Sequence, residues 1–350
     1  QVGTAQGCPL SPALFNVFVQ DLIDLLNESN HSKLTLAYAD DIVVVSDSAE
    51  GLQQIINICA IWTGEWRMKA NVTKSAVMEI SANGQELHEG YDFIYTYNGE
   101  ELPKVPVYKY LGILFDENVD FNPQIRKRKA ACKQRLGALK AVIKLQRLPL
   151  KIKQRLVDAS VTAAIRYGVE VWGWGHDKEL DIMSNNCSRS ILGLPSSGPN
   201  TCSGKGARAI SGLQSLRTIR DIAASKLITK CQNQEADRLP HQHTGANSFI
   251  RQQLQGSPIF EAVSAAGPNS LKSENLKRTL KEIQTEIRDQ DTATASRDLS
   301  LLEIRQWASE KENESNRDRN SLRLGCSCIH DHINNLERLE NNNQKKHYKK

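Results

Sequence analysis

Asp40 and Asp41 are adjacent carboxylates set between two apolar runs, Leu34-Thr35-Leu36-Ala37-Tyr38-Ala39 and Ile42-Val43-Val44-Val45-Ser46. Side by side they repel each other, and each is costly to strip of water. A divalent cation removes both penalties. Mg2+ takes one or two protein carboxylates and completes its octahedron with water and substrate phosphates. The pair therefore points to metal-assisted phosphoryl transfer. The same residues also suit an ordinary solvated turn, because Asp readily hydrogen-bonds nearby backbone. Both runs have strand length and strand-favouring composition, so the spacing predicts a β-hairpin with the aspartates at its tip.

The elements around this hairpin follow from periodicity. Upstream, Gln6-Gly7-Cys8-Pro9-Leu10-Ser11-Pro12 is a tight turn, and Pro12 suits the first turn of a helix. Leu14, Phe15, Phe18, Leu22 and Leu25 continue at helical spacing. A second helix is expected at about 49–66, with Leu52, Ile55, Ile56, Cys59 and Trp62 on one face. After Met68–Ser75, strands are expected at Ala76–Ile80, Phe93–Tyr97 and Val105–Phe115, with a polar loop over 81–90. Residues 1–115 thus read as an α+β layer.

Beyond 120 the periodicity is helical. Ile125, Cys132, Leu136, Leu139 and Ile143 form one stripe, and Pro149 restarts a helix over 150–167 with Ile152, Leu156 and Ala159 inward. Tyr167–Gly175 is a turn whose Trp172 and Trp174 read as core rather than base-stacking residues. A third helix carries Leu180, Met183, Cys187, Ile191 and Leu194, then a loop spans 196–206. Leu213, Leu216, Ile219, Ala223 and Leu227 mark a fourth helix. Charged helices are expected at about 270–289 and 297–312, amid weakly ordered sequence.

The chain has 350 residues and a net charge of +5, but the charge is local. Phe121–Arg155 holds 12 Lys or Arg and no acid, leaving 33 basic against 40 acidic residues elsewhere. Solvated helices usually mix signs for i,i+4 pairing, so a surface that tracks phosphates is favoured over a merely solvated face. No apolar stretch is long and charge-free enough to span a bilayer, and no signal peptide is present. The 8 Cys are scattered apart from Cys326 and Cys328, which argues for a reducing compartment. An intracellular protein, not secreted, is expected. Cys326, Cys328, His330 and His332 have one residue within each pair, where zinc sites use more; they read as coincidence. The start at Gln1, already mid-domain in character, reads as a fragment of a longer reading frame.

Four stretches now line up in order. Gln6–Pro12 with Leu14-Phe15-Asn16, then Tyr38-Ala39-Asp40-Asp41, then Asn71, Lys74 and Ser75, then Tyr110-Leu111-Gly112 resemble successive motifs of reverse transcriptases. They correspond to the motif before the catalytic hairpin, the hairpin, the motif after it and the primer grip. The pattern is similar to that of retrotransposons without long terminal repeats, the LINE-like class. The Pro-Leu-Ser-Pro turn, the Ala in Tyr-Ala-Asp-Asp and Tyr110-Leu111-Gly112-Ile113 carry that likeness. So do Tyr167-Gly168-Val169-Glu170-Val171-Trp172 and Ser190-Ile191-Leu192-Gly193-Leu194-Pro195. Group II intron maturases share the earlier features.

The resemblance implies roles. Asp40 and Asp41 would be catalytic and bind Mg2+. Lys74 would protonate the pyrophosphate leaving group, although a solvated surface lysine also fits it. Gln6, Gly7, Pro9 and Tyr38 would lie against nucleotide and template, and Tyr110, Leu111 and Gly112 would hold the primer end. Arg126, Lys127, Arg128, Lys129, Lys133 and Arg135 would contact nucleic-acid backbone. The expected partners are an RNA template, a DNA primer and deoxynucleoside triphosphates, with no membrane. The expected fold is α+β: the C-terminal part of a polymerase palm over 1–117, a helical thumb over 118–235 and a helical, partly disordered region over 236–350. Such palms use a third carboxylate and fingers, which the resemblance places upstream of Gln1. The fragment alone is therefore expected to be inactive. The rival reading is a non-catalytic nucleic-acid-binding remnant of such an element.

Overall fold

The computed structural model describes residues 7–80, 93–143, 148–194, 204–232, 234 and 248–295. The architecture mixes helix and sheet, in keeping with the α+β expectation. The chain divides into two compact units, Gln1–Pro123 and Gln124–Lys350.

In the first unit, helix α1 spans Ser11–Glu28 with proline in its first turn. Hairpin β1 (Leu34–Tyr38) and β2 (Asp41–Val45) follows, then helix α2 (Ala49–Glu65). The α2 N-terminus is capped by Ser48, whose side chain accepts from the Gly51 N–H at 3.1 Å. Val19, Leu22 and Leu26 of α1 bury against Ile55 and Trp62 of α2, with Ile42 and Val44 closing the cluster from the hairpin. A different face of α2 carries Ile56 into a second cluster with Val77, Tyr95, Tyr97 and Leu102. The buried stripe of α1 is rotated from the expected one: Leu14 and Leu25 stay 54% and 46% exposed. Both flanks of that helix are apolar, and only the position of α2 decides which is covered.

The three strands expected after Ser75 are different in the structure. Ala76–Ile80 forms no strand, only an isolated parallel bridge between Val77 and Lys104. Phe93–Tyr97 contributes just β3 (Thr96–Tyr97), paired with β4 (Glu100–Glu101) around Asn98-Gly99. The run Val105–Phe115 is a hairpin, β5 (Val107–Tyr110) and β6 (Ile113–Asp116), with Tyr110 opposite Ile113. Leu111 and Gly112 have φ of +44° and +83°, the doubly left-handed turn that matches strand twist. Leucine carries no turn signature, so the reversal is invisible to pattern reading. Gln53 of α2 clamps β3 from the side: its Oε1 accepts from Thr96 N–H at 2.9 Å and its Nε2 donates to Thr96 O at 2.8 Å.

The second unit is helical. Helix α3 spans Asn122–Ile143 and buries Ile125, Cys132 and Ile143 of the expected stripe. Helix α4 (Leu150–Val157) passes through a π turn (Asp158–Thr162) into α5 (Ala163–Ile165). The buried face there is Val157, Val161 and Ile165, whereas Ile152 and Ala159 are exposed. A π turn holds an extra residue per turn, which displaces the inward face from a regular helical count. A short helix α6 (Val169–Trp172) carries Trp172 fully into the core, as expected. Helix α7 (Asp177–Leu192) ends at Gly193, where the Leu194 N–H closes on Arg189 O at 2.9 Å. Helix α8 (Gly204–Ser211) is hidden in sequence by its glycines, and α9 (Leu216–Cys231) is the expected fourth helix, with Leu227 outward. Helices α10 (Phe249–Leu254), α11 (Pro258–Ala266) and α12 (Glu274–Ala295) follow. Ile259, Val263, Leu276 and Leu280 pack with Ile222. The expected loop at 81–90, most of that at 196–206, the helix at 297–312 and the Cys326–His332 cluster lie outside the described residues.

Candidate active site

The β1–β2 register pairs Tyr38 with Asp41 and leaves Ala39-Asp40 as a two-residue loop. Ala39 adopts φ of +53°, a region that disfavours a Cβ. Such outliers cost on the order of 1–3 kcal/mol and cluster at functional sites. Strand alternation sends Ile42 and Val44 into the core. Asp41 therefore faces the other way, on the same side as Tyr38, which is 66% exposed. Asp40 and Asp41 are both exposed.

The second hairpin tip lies within electrostatic range of the first. Burial, and then the charge of Asp41, push the Tyr110 phenol above its ordinary value. Two residues back on the same face of β5, the Tyr108 hydroxyl donates to Lys74 O at 2.7 Å. Lys74 itself lies in a turn built on Asn71, whose carbonyl accepts from the N–H groups of Lys74 and Ser75 at 3.0 Å each. One strand face therefore links the aspartate hairpin to the Lys74 loop. The Lys74 side chain is exposed.

Gly7, with φ of +85°, and the exposed Pro9 form the turn entering α1. Among the described residues no hydrogen bond or ion pair joins them to the aspartates. Gln6 lies outside the described residues.

The two aspartates fit one kind of metal site and not another. Among the described residues no group of three or more His, Cys, Asp or Glu is placed to hold a metal ion. A closed protein cage is thus not formed there. Two exposed, hard oxygen donors suit Mg2+, which keeps waters and takes substrate phosphates.

On α3 the basic side chains flank the buried stripe on both sides. On one flank, Arg128 Nη1 donates to Ala164 O at 2.8 Å and its guanidinium sits 5.6 Å from the Tyr167 ring centroid. Burial lowers its pKa, against the pull of Tyr167. Arg135 Nη1 donates to Ser160 O at 2.8 Å on the same flank. On the other flank Lys129 and Lys133 are exposed, as are Arg126 and Lys127. Arg128 and Arg135, both expected to meet phosphate, are thus also engaged within the unit.

Sequence reasoning missed a second polar cluster. Arg208 and Arg220, each 7% exposed, with Arg217, meet Asp177, Asp181 and Asp221. Arg220 bonds Asp177 Oδ1 at 2.7 Å and Gly173 O at 3.0 Å, and stacks 4.1 Å from the Trp174 ring centroid. Burial draws the Arg217 pKa down, but Asp177 and Asp181 outweigh it and raise it. Burial raises the Asp221 carboxyl despite Arg220. The signal lay in Asp177 and Asp181, one helical turn apart on α7, facing Arg217 and Arg220 on α9. Only the fold shows that these two helices meet.

Residues 1–115 match the family model described as reverse transcriptase (RNA-dependent DNA polymerase). The chain is 25% identical over 213 residues to the probable RNA-directed DNA polymerase from transposon BS of Drosophila melanogaster, covering 56% of this chain and 23% of that protein. It is 26% identical over 206 residues to the RNA-directed DNA polymerase from mobile element jockey of the same species, covering 55% and 22%. The jockey polymerase of Drosophila funebris is 24% identical over 208 residues, covering 56% and 22%. The chain thus spans less than a quarter of the length of these relatives. No solved structure gives a significant match. The matched stretch, residues 1–115, contains the aspartate hairpin and both loops tied to it, and is what this chain shares with the reverse transcriptase family.

Proposed function

We propose that this chain is part of the RNA-directed DNA polymerase of a retrotransposon without long terminal repeats, with the C-terminal part of the palm over 1–117 and a thumb over 118–235. The observation that carries this reading is the pair of exposed aspartates on a two-residue hairpin turn, inside the stretch that matches the family. The reaction is attack of a primer 3′-hydroxyl on the α-phosphate of a deoxynucleoside triphosphate, with pyrophosphate leaving. Mg2+ bound there would neutralise the phosphate charge and acidify the attacking hydroxyl. Asp40 and Asp41 hold the metal. The Tyr110-Leu111-Gly112 turn presents backbone to the primer end, and its tip lies in electrostatic range of Asp41. Lys74 reaches solvent from a loop anchored to β5 and supplies a proton to the leaving pyrophosphate. Gln6, Gly7, Pro9 and Tyr38 contact nucleotide and template, and the α3 cations track phosphates. Among the described residues no helix is long and apolar enough to cross a membrane. An RNA template and deoxynucleoside triphosphates are met inside the cell, which is where this polymerase works.

Primer extension on an RNA template tests the assignment. Residues 1–350 should give no extension, because two carboxylates alone do not clamp the hydroxyl and the α-phosphate together. A chain extended upstream by several hundred residues should extend the primer in Mg2+, and Asp40→Ala in it should abolish extension. Robust synthesis by 1–350, or by the Asp40→Ala chain, would show that the metal is held elsewhere.

A further inference from the structure

Cys132 of α3 and Cys187 of α7 are both buried, and their sulfurs lie 4.0 Å apart as free thiols. They join helices distant in sequence. Beside them a cavity of about 700 Å3 opens between α3 and α7. Cys132 lies in its wall, with Lys129, Lys133 and Lys140 at one side and Ile182 and Met183 at the other. Such a cavity admits a small molecule, and its cations suit an anionic one.

We propose that Cys132 and Cys187 form a modification site: a low-molecular-weight anionic disulfide, of the oxidised glutathione class, enters this cavity and is exchanged for a Cys132–Cys187 disulfide that staples α3 to α7. The environment orders the two steps. The hydrogen bond from Cys187 holds the Cys132 thiol below its ordinary value against burial, while that same bond, burial and the Asp158 carboxylate hold Cys187 well above its own. Cys132, which lines the cavity where Cys187 does not, is therefore the attacking thiolate. Its sulfur bonds to one sulfur of the small disulfide, whose S–S bond breaks and releases one thiolate. Cys187 then loses its proton and attacks Cys132 Sγ, expelling the second thiolate. Two protein thiols are oxidised, one small disulfide is reduced to two thiols, and the protons pass to the released thiolates. Bond formation closes the sulfurs from 4.0 Å to about 2.05 Å.

The probe is oxidised glutathione, incubated with the folded 350-residue chain, followed by intact mass and peptide mapping. The expected result is a chain lighter by one pair of hydrogens, with an α3 peptide linked to an α7 peptide through Cys132 and Cys187, restored by dithiothreitol. Cys187→Ser should stop at one glutathionyl group on Cys132. Cys132→Ser should give neither the link nor an adduct on Cys187. The wild-type map decides without the variants. Cys132 and Cys187 left as thiols while Cys8 or Cys59 reacts, or a link that joins neither, overturns the proposal. So does a glutathionyl group on Cys187 in the Cys132→Ser chain.

Discussion

At the scale of single residues, the candidate chemistry rests on few atoms with little structural duty. Asp40 and Asp41 are exposed and Asp40 sits in the loop itself. Asp40→Ala should therefore shift folding stability by no more than about 0.5 kcal/mol in a denaturant titration. A large loss of stability would mean that any loss of activity reports the fold and not the metal. Tyr110 gives a pH reading of the same site. Burial and Asp41 raise its phenol above the ordinary value of 10.0. A raised folded-state value favours the neutral phenol, so its contribution to stability is whole below pH 10 and is lost as pH climbs through the folded value. Asp41→Asn removes the second cause and should lower the Tyr110 value, read from ring-labelled tyrosine resonances during titration. An unchanged value would mean that the two tips do not sense each other. The aspartates are legible in sequence because β-branched runs bracket them. Their relation to Tyr110 is not, since some seventy residues separate them and only the folded unit brings the two turns within electrostatic range.

At the scale of elements, turn geometry governs what each hairpin can present. Gly112 holds φ of +83° in the β5–β6 loop, where an L side chain is strained. Gly112→Ala should cost about 1 kcal/mol of stability in the first unit, read as a shifted denaturation midpoint, and should displace Tyr110. No destabilisation would mean that this loop takes another shape. The hairpin escapes pattern reading because Leu111 fills a left-handed position that turn statistics reserve for Asn and Gly. The Asn98-Gly99 loop, by contrast, carries a strong short hairpin signal, but its flanking strands are too short to stand out. Helices α2 and α7 are legible because strong apolar periodicity coincides with a Ser48 cap and a Gly193 stop. On α3 the charge count is legible, but not its use. Arg128 and Arg135 bond carbonyl oxygens of the neighbouring segment, so they are poor sites for testing phosphate binding. Changing Arg126, Lys129 and Lys133 to Glu should weaken template–primer binding and flatten the slope of log K against log salt by about 0.9 for each phosphate no longer neutralised. Salt-independent affinity would remove the thumb assignment.

At the scale of the whole molecule, each unit closes around a different kind of interaction. The first is organised by aromatic and aliphatic packing: Phe18 lies between Trp62 and Trp66 at centroid distances of 5.4 and 5.0 Å. The second adds the arginine–aspartate cluster, in which Gly173 has no room for a Cβ beside Val169 O and the Arg220 stem. Arg220→Ala removes one of the two arginines paired with Asp177, the ion-pair partner of Asp221 and the stack on Trp174. It should cost about 3 kcal/mol, seen as a fall in the urea midpoint. A loss below about 1 kcal/mol would show that solvent screens the partly exposed Asp177 well enough to replace it. The spacings on α7 and α9 are visible in sequence, but their meeting is not, because the members come from three segments that packing alone brings together.

Helix α2 has a further consequence, which concerns cooperativity. It offers Ile55 and Trp62 to the cluster beneath the aspartate hairpin and Ile56 to the cluster beneath β3–β4. Neither cluster survives if this helix unwinds, so the two cannot melt one after the other. Amide protons of β1–β2 and of the segment around Val77 should therefore exchange with a common opening free energy, and the aspartate turn inherits its lifetime from a helix that contributes no candidate site residue.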